Sequence, residues 1–308
     1  MGPARTPRNH PDTREPLPSR AMRVLLTGAA GMLGRDLQTV AAAAGHEVVA
    51  LTRADLDISD PQAVQRAITA AAPQAVINCA AYTNVDGAEG EGRDDAYTIN
   101  ANGAGYVAHA AALADARIVH VSTDYVFDGM KTTGPYVESD TTNPQSVYGA
   151  SKLEGELAVA RAAPASHTIV RTSWLYGNHG PCFPATILRL AAERERLSVV
   201  DDQRGCPTFT PDLAQALVTL ATGRHELLGV VHVAAAGECS WFEFAREIVA
   251  LAGVDCTVLP CSTAQFPRPA QRPAYSVLRS ERGAQVPQLR DWHDGLRDYL
   301  RVMAEESG

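Results

Sequence analysis

The chain reads as an α/β protein, a doubly wound parallel sheet followed by a smaller C-terminal α/β lobe suited to holding a substrate. Three observations carry that reading. From Arg23 onward, short aliphatic runs alternate with helical segments, as successive βαβ units require. Those runs are continuous rather than alternating, which is expected of strands covered on both faces. The first of them empties into a glycine-rich turn, Thr27-Gly28-Ala29-Ala30-Gly31-Met32-Leu33-Gly34, that opens a helix.

Arg23–Thr27 is the first predicted strand and Met32–Ala44 the first helix, ending at Gly45. Glycine is needed in the turn between them where φ must be positive and where backbone must approach a pyrophosphate, which the free N–H groups of the helix then stabilise. The spacing is GxxGxxG, and its place between strand and helix favours a dinucleotide site over a plain structural turn. Gly28, Gly31, Met32, Leu33 and Gly34 are therefore cofactor-binding candidates.

Glu47–Leu51 is the second strand, followed by Thr52-Arg53 with Asp55 and Asp57 just beyond. A carboxylate here would bind the adenosine ribose of NAD, whereas an arginine can receive the 2′-phosphate of NADP. Arg53 points to NADPH, with NADH as the other option, and Asp57-Ile58 suits the adenine end. Pro61–Ala71 reads as a helix, Ala75–Asn78 as a strand, Arg93–Ala114 as a helix, and Arg117–Ser122 as a strand that delivers Thr123.

The helix Gln145–Arg161 carries Tyr148 and Lys152, one turn apart on one face. A free phenol has a pKa of about 10, and a cation within about 4–6 Å lowers it towards the range of a general acid or base. Thr123 in Ser122-Thr123-Asp124 can supply a third partner. Thr168–Arg171 is the fifth strand.

With 308 residues the chain exceeds the size at which one core stops growing, about 250–300 residues. We expect a dinucleotide-binding domain over 22–173. Residues 174–308 form mainly the substrate lobe, with segments around 200–235 returning to the first domain. Residues 1–21 are rich in Pro, Arg and polar side chains and lack an apolar signal region; they read as an extension outside the fold, disordered or preceding a natural start at Met22.

Hydrophobics at 45% and charges at 20% describe an ordinary globular protein, and the net charge of -8 argues against nucleic acid or an anionic membrane as partner. An acidic ligand must be held locally, by backbone amides or a few arginines. No run reaches the roughly eighteen apolar residues of a membrane span. The six cysteines include no CxxC and suggest free thiols in a reducing cytoplasm.

Towards the C-terminus, Pro184–Arg196 reads as a helix ending in a solvated charged run, and Thr210-Pro211-Asp212 opens a helix through Ala221. Val230–Ala234 is a further strand. Ser240–Ala252 reads as a helix whose stripe Trp241, Phe244, Ile248 and Leu251 is core. Pro260 to Pro273 reads as a loop and Asp291–Met303 as a last helix.

Thr27–Gly34, Asn78-Cys79-Ala80-Ala81, Ser122-Thr123-Asp124 and Tyr148-xxx-Lys152, in that order, resemble the extended short-chain dehydrogenase/reductases. Within them the chain is most similar to the dTDP-4-dehydrorhamnose reductases. The resemblance runs from Met22 to about Tyr299. It rests on Ala80-Ala81-Tyr82-Thr83-Asn84-Val85-Asp86-Gly87-Ala88-Glu89, Ser122-Thr123-Asp124-Tyr125-Val126-Phe127-Asp128-Gly129 and Arg171-Thr172-Ser173-Trp174-Leu175-Tyr176-Gly177. Asp202-Gln203-Arg204-Gly205-Cys206-Pro207-Thr208 and Arg272-Pro273-Ala274-Tyr275-Ser276-Val277-Leu278 add to it.

The resemblance implies a Rossmann fold and reduction of dTDP-4-dehydro-L-rhamnose, a dTDP-4-keto-6-deoxysugar, by a monomer or homodimer in the cytoplasm. Thr123, Tyr148 and Lys152 would be catalytic. Tyr148 would protonate the C4 ketone oxygen as hydride arrives, Thr123 would hydrogen-bond that oxygen, and Lys152 would bind the nicotinamide ribose and depress the tyrosine pKa. Ala80 and Ala81 would border the cofactor. Tyr125 and Trp174 would flank the sugar, Thr83 and Val85 would line the nucleotide-sugar path, and Arg272 would lie near the diphosphate.

Two features depart from the family. Pro181-Cys182-Phe183 stands where an Asn-Phe is common, removing an amide, and Gly87 stands where a lysine is frequent. Some members use Mg²⁺ at a subunit interface; Asp36 and Glu195 lie in comparable regions, and no metal is expected here. The alternatives are a related deoxysugar 4-ketoreductase of secondary metabolism, a nucleotide-sugar epimerase, and a non-catalytic NADP-binding module like the regulatory subunit of methionine adenosyltransferase. The intact triad favours catalysis.

Overall fold

The computed structural model describes residues 21–223 and 227–307; the extension expected over 1–21 lies outside them apart from Ala21. The first half follows the order β1 (Arg23–Thr27), α1 (Met32–Ala43), β2 (Glu47–Leu51), α2 (Pro61–Ala71), β3 (Ala75–Asn78) and α3 (Arg93–Tyr97). A π-helical segment, Thr98–Gly103, leads into α4 (Ala104–Leu113), then β4 (Arg117–Thr123), α5 (Val147–Ala162) and β5 (His167–Thr172). The second half comprises β6 (Leu175–Tyr176), α6 (Phe183–Glu193), β7 (Arg196–Val200), β8 (Arg204–Gly205), β9 (Thr208–Phe209) and α7 (Thr210–Thr222). It continues through β10 (Gly229–His232), β11 (Cys239–Ser240), α8 (Trp241–Ala252), β12 (Thr257–Cys261) and α9 (Trp292–Ser307).

Six strands form one parallel sheet in the order β10-β5-β4-β3-β1-β2. Successive residues of β1 enter different layers: Val24 and Leu26 pack in the core with α1 and α7, Leu25 in the core with α2, α4 and α5. This two-sided burial is why the strand sequences read as unbroken apolar runs. β2 and β3 leave β1 on opposite sides, so the crevice of a doubly wound sheet falls at the C-terminal ends of β1 and β3.

A third core gathers Phe244, Ile248, Trp292, Leu296 and Tyr299 with Leu197 and Val199 of β7. The parallel pair β7–β12 is absent from the sequence reading. The predicted helix through Arg196 stops at Glu193 because Leu197 and Val199 alternate inward, and Pro260, expected in a loop, sits in a strand paired on one side only, where a missing N–H is tolerated. Leu251, expected in the core, is 41% exposed. All six cysteines are free thiols. Among the described residues, no helix is long and apolar enough to cross a membrane.

Candidate active site

The glycine turn is shaped by contact with the end of β3. Gly28 has φ +68°, and a Cβ there would come within 2.7 Å of the Ala80 nitrogen. Gly31 caps α1 with no side-chain hydrogen bond and no acidic residue follows in the first turn, so no side chain caps the first N–H groups of α1. Such an end suits a phosphate.

A cavity of about 760 Å³ opens above these strand ends. It is lined by every predicted cofactor residue, namely Gly28, Gly31, Met32, Leu33, Gly34, Arg53, Asp57, Ile58, Ala80, Ala81, Tyr148 and Lys152. Thr123, Thr83, Val85, Tyr125 and Trp174 line it too. Arg272 is outside the lining; its guanidinium forms two bonds to Asp86, at 2.9 and 3.0 Å. Further lining residues escaped the sequence reading, among them Asp124, named in a motif without a role, His179, Pro181, named only as a departure from the family, and Trp241. Trp241 was concealed by its helical spacing with Phe244 and Ile248, which signals core whether or not one member reaches a cavity.

The turn after β2 separates its charges. Asp55 accepts from the Thr52 backbone N–H at 2.9 Å and hydroxyl at 2.6 Å and does not line the cavity, leaving Arg53 as the basic group there. Asp57 lines the cavity while accepting from the Ser59 N–H and hydroxyl.

α5 begins at Val147, with the Ser146 hydroxyl accepting from the Gly149 N–H at 3.1 Å. Lys152 is buried and donates to the Val121 carbonyl at 2.7 Å. Burial lowers its pKa from the usual 10.5 to about 8, against the opposing pull of Glu156 and the Cys79 thiol. One turn further along, Glu156 accepts from the Ser122 hydroxyl at 2.6 Å and forms a two-pronged pair with Arg171 at 2.9 and 2.7 Å, both side chains buried.

Lys152 was expected to depress the Tyr148 pKa, and the structure differs. Burial pushes the phenol up to about 12, and the group that pulls it down is the Thr123 hydroxyl. Thr123 also donates to Asp124 at 3.0 Å. Asp124, enclosed beside them, is raised to about 6 by burial despite hydrogen bonds from Ser276 and Thr123. Tyr125 meets the Tyr148 ring edge-on at 5.5 Å.

Buried polar groups brace the floor. The Thr27 hydroxyl donates to Asn78 at 2.6 Å, and the Asn78 amide reaches the His120 Nδ1 at 3.0 Å. Burial holds that imidazole well below its ordinary pKa, with the Lys152 charge adding to the effect. In the π-helical segment, Asn100 accepts from the Tyr82 N–H at 2.8 Å and donates to the Ser151 hydroxyl at 3.0 Å, tying the loop after β3 to α5. Asp36 faces inward, 3.5 Å from His179, and Cys182 packs against the Tyr299 hydroxyl at 3.5 Å.

The family described as RmlD substrate binding domain matches residues 22–305. A dTDP-4-dehydrorhamnose reductase of Mycolicibacterium smegmatis is 46% identical over 305 residues, 97% of this chain and 92% of the relative. A dTDP-4-keto-6-deoxy-D-glucose reductase of Streptomyces niveus is 43% identical over 92% of this chain and 99% of its own. The crystal structure of dTDP-4-dehydrorhamnose reductase from Bacillus anthracis in complex with NADP superimposes with a TM-score of 0.87 at 41% identity, covering 92% of this chain and 100% of that one. The chain belongs to the dTDP-4-dehydrorhamnose reductase family of Rossmann-type oxidoreductases.

Proposed function

We propose that the protein reduces the C4 ketone of dTDP-4-dehydro-L-rhamnose to dTDP-L-rhamnose with NADPH. The observation that carries this reading is the convergence of Thr123, Tyr148 and Lys152 on the cavity that also holds the glycine turn. NADPH would lie along the N-terminal end of α1, with Arg53 receiving the 2′-phosphate and Asp57 and Ile58 at the adenine. Bound there, it supplies the hydride to C4.

The chain's own part is proton delivery and charge stabilisation. A phenol held up to about 12 keeps its proton at neutral pH and so has one to give to the C4 oxygen, whose basicity rises as the ketone becomes an alkoxide. Thr123 donates to the same oxygen, whose negative charge grows as the ketone is reduced; donors fixed in advance there lower the barrier. Lys152 orients the nicotinamide ribose and contributes its positive charge. Tyr125 and Trp174 flank the sugar, and Thr83 and Val85 line the nucleotide path. Arg272 reaches the diphosphate by exchanging its bond to Asp86.

The test is to incubate the purified protein with dTDP-4-dehydro-L-rhamnose and follow NADPH absorbance. Consumption is expected, with a Tyr148→Phe variant slower by about 10²–10⁴-fold. No consumption, with the variant indistinguishable, overturns the reading. A second reading is a deoxysugar 4-ketoreductase of secondary metabolism, supported by the Streptomyces niveus relative. Turnover of dTDP-4-keto-6-deoxy-D-glucose in preference to the rhamnose precursor would establish it.

A further inference from the structure

Trp174 is held in a backbone conformation that side chains avoid. Its φ is +50°, and left-handed geometry costs an ordinary residue roughly 1–2 kcal/mol. Such strain persists where the surroundings over-determine it. Two neighbours do so here. Trp241 stacks on the Trp174 indole with ring centroids 3.5 Å apart and planes 3° from parallel. Gly205 lies so near that a Cβ on it would come within 2.4 Å of the Trp174 ring.

Both neighbours come from one ribbon. Gly205 of β8 pairs with Cys239 of β11, and β11 runs directly into α8, whose first residue is Trp241. The start of α8 is fixed by a reciprocal cap, with the Ser240 N–H donating to Glu243 at 2.8 Å and the Glu243 N–H to the Ser240 hydroxyl at 3.1 Å. Beyond Trp241, Phe183 lies at 4.5 Å, so the stack is anchored in the core of the second lobe. Yet both indoles are half-buried and line the cavity that contains Thr123 and Tyr148.

We infer that Trp241 is a positioning residue of the sugar subsite: stacked face to face on the Trp174 indole, it fixes that ring, and the two indoles together present an aromatic surface on the cavity to the apolar face and C6 methyl of a 6-deoxy sugar. The inference rests on the reductase reading for the identity of the sugar. An aromatic surface accepts the methyl by apolar contact, whereas a 6-hydroxyl placed against the ring carbons loses its water there, which disfavours the hydroxylated analogue. Neither indole moves a proton; their contribution is to binding geometry.

The test uses the full chain carrying Trp241→Leu or Trp241→Phe, with KM measured separately for the nucleotide sugar and for NADPH. Trp241→Leu is expected to raise the sugar KM about tenfold while leaving the NADPH KM in place, and Trp241→Phe to recover most of the loss, in line with the worth of an aromatic contact. In the unmodified protein, indole fluorescence excited at the red edge of the band should change on titration with dTDP-L-rhamnose. A wild-type sugar KM in Trp241→Leu overturns the inference, as does an equal rise in both constants that Trp241→Phe does not relieve. If Trp241→Leu fails to fold, Trp241→Met takes its place with the same expected and overturning results. Failure of the unmodified protein to oxidise NADPH defeats the reductase reading instead, and the affinity for dTDP-L-rhamnose of Trp241→Leu against that of the unmodified protein, measured by calorimetric titration, still judges Trp241.

Discussion

Tyr148 and Lys152 are moved in opposite directions by the same burial, because water withdrawn from the site penalises the phenolate in one case and the ammonium in the other. The tyrosine at about 12 stays protonated across the working range, so of the two it is the lysine, at about 8, that titrates first. We expect kcat/KM to fall as pH rises through about 8, tracking loss of the Lys152 charge. Stability should move the other way. The folded pKa lies below the unfolded 10.5, so between about 8 and 10.5 the unfolded chain binds more protons and Lys152 adds stability with rising pH. Activity and denaturation profiles measured together check both signs. A rate that holds level through pH 8 and declines only near the tyrosine value would remove Lys152 from this role.

At the scale of elements, α5 works as a rod with Tyr148, Lys152 and Glu156 at intervals of four residues. Its far end is anchored by the buried Glu156–Arg171 pair. Removing one partner strands the other charge, so Glu156→Ala should cost about 3–5 kcal/mol in urea unfolding, far more than an exposed pair would. The glycine turn makes a different demand. Gly28→Ala places a methyl against Ala80 at positive φ, and we expect a loss of at least about 1 kcal/mol in stability together with weakened NADP⁺ binding by titration. Unchanged cofactor affinity in that variant would separate the turn from the dinucleotide. The turn was legible in the sequence because its chemistry is local. The π-helical segment was not, since it depends on Asn100 meeting Tyr82 and Ser151 from elsewhere in the chain.

For the whole molecule, the cavity matters more than either lobe alone. Its lining takes Gly28 to Ala81 from strand-end loops of the sheet and Trp174, His179 and Trp241 from segments after β5. α7 packs on the same core as α1, and β10 completes the sheet beside β5, so the chain crosses between the layers several times. A dinucleotide bound only by the folded form should stabilise it by mass action. NADP⁺ at about a hundred times its Kd is expected to add about 2.7 kcal/mol to the unfolding free energy, with removal by gel filtration reversing the gain. No shift in the melting transition under those conditions would count against a preformed site.

Local chemistry was enough to determine the alternating strands and helices, the glycine turn between the first strand and helix, and the helical spacing of Tyr148 and Lys152. Each depends on residues within a few turns of one another, where period and backbone geometry leave little choice. The tertiary structure decided what distance along the chain conceals. It set the sign of the Tyr148 shift, because burial outweighs the hydrogen bond from Thr123, and it paired Arg272 with Asp86. It joined β7 to β12 and turned Trp241 from an apparent core residue into a wall of the cavity. Desolvation and stacking are properties of the enclosure, and an enclosure exists only once segments as far apart as Gly28, Trp174 and Trp241 have come together.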